Sequence, residues 1–261
     1  MRISRSRSRL VTVALAALAA VGLTLGTAAP ASASAWNDPH WRELRYVALG
    51  DSYAAGQASD CTHTASSYPL LLDRLPSVNL VSDVSCAGAT TTTVITSQIG
   101  AVNRTVSLVT VTVGANDLDV AGLQAVCAVN PASAPCAAAI QARQAQLPAL
   151  FANLAATYSQ IAAASPAATI LVTGYAPLVS TGPLYTAEQA LNATIQGAVT
   201  SVAAAGAHIR YVAVAFTGHT ADSPHPWFVL TGPNIFHPTW QGNLAYAAAI
   251  ASALLAVELG R

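Results

Sequence analysis

Apolar residues along this chain come in short blocks set between polar turns, and the blocks alternate between two lengths. Leu44–Leu49, Val78–Val84, Thr105–Val113, Thr169–Thr173 and Ile209–Val214 are runs of strand length, rich in aliphatic and β-branched residues. Between them lie segments of helical character: Pro69–Leu75, Thr90–Ile99, a region from Leu118, the alanine-rich Ala137–Ala164, Thr186–Ala205 and Pro238–Leu259. Thr90–Ile99 is a poor helix former because β-branched side chains lose rotamer freedom in a helix. Pro148 is expected to divide or kink the alanine-rich segment. Thr105–Val113 is apolar almost throughout, which suits a parallel strand covered on both faces. The alternation predicts one α/β domain with a parallel sheet of about five strands.

Ahead of this pattern, Arg2, Arg5, Arg7 and Arg9 precede an apolar run from Leu10 to Gly26, and Ala31-Ser32-Ala33-Ser34-Ala35 offers small-residue cleavage sites. These are the parts of a secretory signal peptide, read over 1–35 with cleavage after Ala35 or, second, after Ala33. A retained anchor is the rival, but the run is short for a span of roughly 20 residues. No later stretch reads as a second span. Cleavage leaves a single domain over 36–261, secreted, extracellular and without stable membrane insertion. The whole chain carries 11 arginines, no lysine and 11 acids. Four of the arginines lie in the leader, so the mature chain is mildly acidic, which argues against nucleic acid as a partner.

Export makes the four cysteines readable. Of the three possible pairings, Cys61 with Cys86 and Cys127 with Cys136 close the shortest loops. The segment from Cys127 to Cys136 contains Pro131 and Pro135 and reads as a stapled loop without helix. The spacings are unlike those of zinc sites, and neither metal nor cofactor is expected.

Four polar or glycine signals fall at the carboxyl ends of the strands, where ligands bind in open α/β sheets. They are Ser52 in Gly50-Asp51-Ser52-Tyr53, Gly88 in Cys86-Ala87-Gly88-Ala89, Asn116 in Gly114-Ala115-Asn116-Asp117, and His237 before Pro238. Each alone has a bland reading, as a turn residue, a helix cap or a solvated side chain. Together they supply a nucleophile, a base whose pKa suits it, and donors for an oxyanion: the amides of Ser52 and Gly88 and the Asn116 side chain. Gly88 is expected to let its N–H approach a substrate with no side chain in the way.

These blocks resemble those of the SGNH, or GDSL, hydrolases, and the layout from Tyr46 to the C-terminus is similar to the secreted actinobacterial lipases and esterases of that family. The resemblance implies a flavodoxin-like three-layer α/β/α fold with sheet order 2-1-3-4-5, with Ser52 as nucleophile, Gly88 and Asn116 as oxyanion donors and His237 as base. It also implies the bridges Cys61–Cys86 and Cys127–Cys136. A third bridge usual in the family would involve the loop near Gly218-His219; this chain lacks cysteines for it, so that loop is expected to be looser. The family places an aspartate three residues before the histidine, where this chain has Asn234. Two readings follow. A main-chain carbonyl, foremost that of Asn234, accepts the imidazole N–H and the site works as a Ser–His dyad, or a distant acid such as Asp222 completes a triad.

The implied activity is hydrolysis of carboxylic acyl esters by a monomer acting on a small-molecule or lipid substrate. Acyl transfer, polysaccharide deacetylation and an inactive binding protein stand as alternatives. Leu118, Val120, Leu123, Leu178, Leu184 and Ile235 would suit an acyl chain. His219 and His225 are read as structural residues of the Gly- and Pro-rich loop Phe216–Phe236, and His63 as solvated.

Overall fold

A computed structural model describes residues 43–259; the leader over 1–35 and the lead-in over 36–42 lie outside them. The strands are Leu44–Gly50 (β1), Val78–Asp83 (β2), Leu108–Thr112 (β3), Thr169–Thr173 (β4) and Ile209–Val212 (β5). All pair in parallel, in the order β2-β1-β3-β4-β5, as the resemblance implied. The helices are Ser52–Ala55 (α1), Tyr68–Leu72 (α2), Thr91–Thr93 (α3), Val120–Val129 (α4), Ala134–Gln144 (α5), Leu147–Ala164 (α6), Gly182–Ala204 (α7) and Trp240–Glu258 (α8). Past α3 the threonine-rich segment runs as a π turn, Val94–Gln98, and a 3₁₀ turn, Ile99–Ala101, in keeping with its poor propensity.

The period of two along the strands sorts the core into two layers. Val47, Leu49, Val109, Val111, Ile170 and Val172 face α6 and α7, which bury Leu154, Tyr158, Ile195 and Val199 against them. Tyr46, Ala48, Leu108, Leu171 and Val212 face α2 and α8, which bring Leu72, Tyr246, Ile250 and Leu254. Threonines on the central strands are buried with their hydroxyls paired: Thr110 with Tyr46 at 2.6 Å, Thr112 with Tyr68 at 2.9 Å and with Thr173 at 2.5 Å. Helix α8 is long and apolar enough to cross a membrane by length and composition alone. One side of it, with Tyr246, Ala247, Ile250 and Leu254, packs in the core.

Several boundaries differ from the sequence reading for a shared reason. Proline is tolerated in the first turn of a helix, where its missing N–H would have no partner anyway. Pro148 lies in the first turn of α6, Pro183 in that of α7, which starts at Gly182, four residues ahead of Thr186, and Pro135 in that of α5. The expectation of a helix-free stapled loop is therefore corrected. Cys127 lies in α4 and Cys136 in α5, and their disulfide joins two helices across a short turn. With Leu123 and Ile140 it forms a small core of its own. Strand β3 starts at Leu108 because the Thr105 amide and hydroxyl turn back to Asn103 Oδ1.

Sheet order reverses between β1 and β3. Loops leaving adjacent carboxyl ends diverge at such a point and open a crevice. Ser52 follows β1 and Asn116 follows β3, so they border it.

Candidate active site

The turn after β1 leaves no room for a side chain at its pivot. Gly50 has φ +126°, and a Cβ there would stand 2.2 Å from the Thr112 carbonyl. Buried Gln98 clamps this glycine at both ends: its Oε1 accepts from Gly50 N–H and its Nε2 donates to the Gly50 carbonyl, each at 2.8 Å. Asp51 then caps α1 by accepting from Tyr53 N–H at 3.0 Å. Ser52 is the first residue of that one-turn helix, so its amide is among the N–H groups a helix leaves unpaired.

His237 meets this serine from the far end of the chain. Its Nε2 lies 2.7 Å from Ser52 Oγ, and its Nδ1 lies 3.1 Å from the Ile235 carbonyl. A carbonyl can only accept, so Nδ1 carries the proton and Nε2 is free to receive one from the serine. Burial pulls the imidazole pKa below its usual 6.5, partly offset by the Ile235 and Asn234 carbonyls. The carbonyl nearest Nδ1 is thus that of Ile235, one residue beyond the one expected; the Asn234 carbonyl accepts from His237 N–H at 3.0 Å. Neither suggested side chain bonds the ring. Asn234 Oδ1 accepts from Ala58 N–H at 2.9 Å, and Asp222 Oδ2 accepts from the Ser180 amide at 3.2 Å and its hydroxyl at 2.7 Å. Pro238 does not open the last helix either: it bridges Phe228, and Thr239 provides the cap.

Gly88 sits at an exposed turn tip with φ +77°. A Cβ there would meet nothing of the chain itself within 4 Å, so within the fold it is the backbone angle that favours glycine. Asn116 Nδ2 donates to the Ala89 carbonyl at 3.0 Å and keeps a second hydrogen. Its neighbour Asp117 accepts from the Thr91 amide at 3.0 Å and its hydroxyl at 2.5 Å. These bonds tie the turn after β3 to the turn that carries Gly88. The disulfide Cys61–Cys86 anchors the other end of that turn.

A cavity of about 140 Å³ opens beside Ser52 and His237. Leu118, Val120, Leu123, Leu178 and Leu184 line it as expected, with Leu147 and Leu191. Ile235 does not; it is exposed on the His237 turn. Two carboxyls line the cavity, those of Asp51 and Glu188. Glu188 Oε2 accepts from Leu178 N–H at 3.0 Å, and burial pushes its pKa from 4.5 to about 8. At another wall Arg143 is held by the Leu118 carbonyl and Asp119.

Residues 48–245 match the family model described as the GDSL-like Lipase/Acylhydrolase family. The chain belongs to this family. It is 30% identical over 249 residues to a lipase of Streptomyces rimosus, covering 87% of this chain and 93% of that relative. The solved structure of the extracellular lipase from Streptomyces rimosus superposes with a TM-score of 0.74 at 28% identity, over 80% of this chain and 99% of that one. Phospholipase A1 from Streptomyces albidoflavus NA297 gives 0.71 at 31% identity, with the same coverage. As a GDSL-like acylhydrolase the protein is an ester hydrolase.

Within this GDSL-like site, sequence reading passed over four supporting side chains. Tyr175 donates to Asp51 Oδ2 at 2.5 Å and accepts from Ala115 N–H at 3.1 Å, bridging the β1 and β3 turns. Burial raises the Asp51 pKa from 3.8 to about 7. Tyr53 donates to the Phe236 carbonyl at 2.9 Å, and Gln98 holds Gly50. Asp51 and Tyr53 stand beside Ser52 in the sequence, but Tyr175 and Gln98 carry no local signal. Among the remaining histidines, His63 is a correction. Its Nε2 lies 3.2 Å from Asp83 Oδ1 and 3.0 Å from the Ser85 carbonyl, so it is engaged and not simply solvated. His219 stacks on Trp227 with centroids 4.0 Å apart and meets the His225 carbonyl at 2.7 Å, which closes the late loop without a disulfide.

Proposed function

We propose that this protein is a secreted serine esterase that cleaves neutral carboxylic acyl esters through a Ser52–His237 dyad. The observation that carries the reading is the 2.7 Å contact between Ser52 Oγ and His237 Nε2, with Nδ1 satisfied by a main-chain carbonyl. Ser52 Oγ attacks the acyl carbon while its proton passes to Nε2. The oxyanion is met by the amides of Ser52 and Gly88 and by Asn116 Nδ2. Collapse breaks the acyl–oxygen bond, and Nε2 returns the proton to the departing alcohol. Water, deprotonated by the same imidazole, then releases the acid and restores the serine. The Ile235 carbonyl takes the place that a carboxylate holds in a triad, as a dipole and without charge.

The apolar cavity beside Ser52 suits an aliphatic acyl group, and the Streptomyces relatives, a lipase and a phospholipase A1, support a lipid ester as substrate. The basic, apolar and small-residue order of 1–35, the two disulfides and the extracellular Streptomyces rimosus lipase support export. Hydrolysis of p-nitrophenyl esters of increasing chain length tests the reading, with Ser52→Ala as control and an organophosphonate ester as covalent probe. Activity lost in the variant, with the label mapped to Ser52, is the expected result. Label on another residue, or an active Ser52→Ala protein, would exclude the dyad.

A further inference from the structure

The turn that bears His237 contains no acid, yet the main-chain carbonyls from Asn234 to His237 are each engaged. The Asn234 carbonyl accepts from His237 N–H at 3.0 Å, and the His237 carbonyl from Val229 N–H at 2.9 Å. The Ile235 carbonyl faces Nδ1 at 3.1 Å, and the Phe236 carbonyl accepts from the Tyr53 hydroxyl at 2.9 Å. Phe236 itself has φ +63°, a left-handed conformation that a residue with a side chain keeps only when its surroundings impose it. Two of the imposing contacts come from the segment that carries the nucleophile. One is the Tyr53 hydroxyl on Phe236; the other is Ala58 N–H on Asn234 Oδ1 at 2.9 Å. They grip the turn on either side of Ile235.

We infer that Asn234 and Tyr53 are positioning residues that dock the His237 turn onto the Ser52 segment, and so hold the Ile235 carbonyl and the imidazole in register with Ser52 Oγ. This rests on the dyad reading above. The service Asn234 performs is that of an acceptor turned away from the ring. An N–H can be met only by an acceptor, so asparagine or aspartate would serve at this position and a hydrocarbon would not. The oxygen that a triad would turn toward the imidazole is committed to Ala58, which accounts for a site that works without charge there. Tyr53 adds a second fixed point, its ring lying 5.3 Å from that of His237 between centroids.

The test measures kcat, KM and the pH profile of kcat/KM for Asn234→Leu, Asn234→Asp and Tyr53→Phe on a p-nitrophenyl ester. Loss of one neutral hydrogen bond that fixes geometry should lower kcat roughly tenfold in Asn234→Leu and in Tyr53→Phe, with KM changed by less than about twofold. Because the Ile235 carbonyl raises the His237 pKa, loosening it should also move the acid limb of the profile to lower pH. A loss of folded protein alone would lower the rate without moving that limb. Asn234→Asp keeps the acceptor and should stay within about threefold of the wild-type kcat. Wild-type kcat in both Asn234→Leu and Tyr53→Phe overturns the inference. So does a kcat raised about tenfold or more in Asn234→Asp, since the carboxylate would then be serving the imidazole and not Ala58. Tyr53→Phe retains the ring and carries the test should Asn234→Leu fail to fold. Ser52→Ala and His237→Ala, measured alongside, separate the two failures. Activity in either removes the dyad itself, whereas inactive controls beside unimpaired docking variants remove only the docking role.

Discussion

Glu188 sets up a measurement that depends on the fold and on no catalytic assignment. Its carboxyl stands in the cavity wall, bonded to Leu178 N–H, and burial pushes its pKa from 4.5 to about 8 against the pull of the Leu178 and Val179 amides. Between those two values the folded protein holds a proton that the unfolded chain has lost. The free energy of unfolding should therefore fall as pH rises through this window, and level off above about 8, where both states are ionised. A tenfold difference in proton affinity between the two states is worth about 1.4 kcal/mol. The full penalty is therefore about 5 kcal/mol, of which roughly 3 kcal/mol develops between about pH 5.5 and 8. Asp51 acts in the same sense, its pKa being raised by burial from 3.8 to about 7, so the wild-type slope alone does not isolate Glu188. Glu188→Gln does, because its amide oxygen can keep the Leu178 bond but cannot ionise. Urea unfolding of both proteins at several pH values should show the variant gaining on the wild type by roughly 3 kcal/mol from about pH 5.5 to 8.5. A difference that stays constant across that range would refute the claim that Glu188 is protonated inside the folded protein. In the same window, KM for aliphatic esters should rise more steeply in the wild type than in the variant, where Asp51 alone still brings charge to the cavity.

Asn116→Ala should cost roughly 3 kcal/mol of transition-state stabilisation, a loss of about 150-fold in kcat, with circular dichroism unchanged; a near-normal kcat counts against the donor role. Because burial lowers the His237 pKa, the acid limb of kcat/KM should have its midpoint below the usual 6.5, and a midpoint at or above that value would contradict the buried neutral imidazole. Gly50→Ala should destabilise the fold severely, since its Cβ would stand 2.2 Å from the Thr112 carbonyl at φ +126°; a thermal midpoint equal to wild type would show that the turn accommodates a side chain.

The middle of the sheet was legible because β3 and β4 are buried on both faces, which leaves short runs of aliphatic and β-branched residues such as Thr169–Thr173. Helix starts were less so wherever a proline led: Pro135, Pro148 and Pro183 look like breaks in a sequence, and each sits in a first turn. Ser52 and His237, 185 positions apart, meet because the ends of parallel strands converge on one edge. The carbonyl that meets the His237 ring was misplaced by one residue. A main-chain carbonyl is present at every position, so nothing in the side-chain sequence distinguishes that of Ile235 from that of Asn234. Tyr175 and Gln98 were missed for the opposite reason. A lone tyrosine on a strand exit and a lone glutamine in a threonine-rich helix have many bland uses, and only the fold reveals that they grip Asp51 and Gly50.

Burial acts in one direction on the ionisable groups around Ser52. It raises the carboxyl pKa of Asp51 to about 7 and that of Glu188 to about 8, and it lowers that of the His237 imidazole. All three changes favour the neutral form, so near neutral pH Asp51, Glu188 and His237 together carry less charge than their residue types imply. The absence of a carboxylate at Asn234 belongs to the same pattern. A full negative charge beside His237 would favour the imidazolium before the serine had given up its proton, whereas the Ile235 dipole steadies the ring with a weaker pull. In the proposed mechanism a neutral ester then meets fixed dipoles: the amides of Ser52 and Gly88 and the Asn116 side chain. Their field is felt most strongly when the oxyanion forms, because few nearby ions compete with it in a site of low polarity.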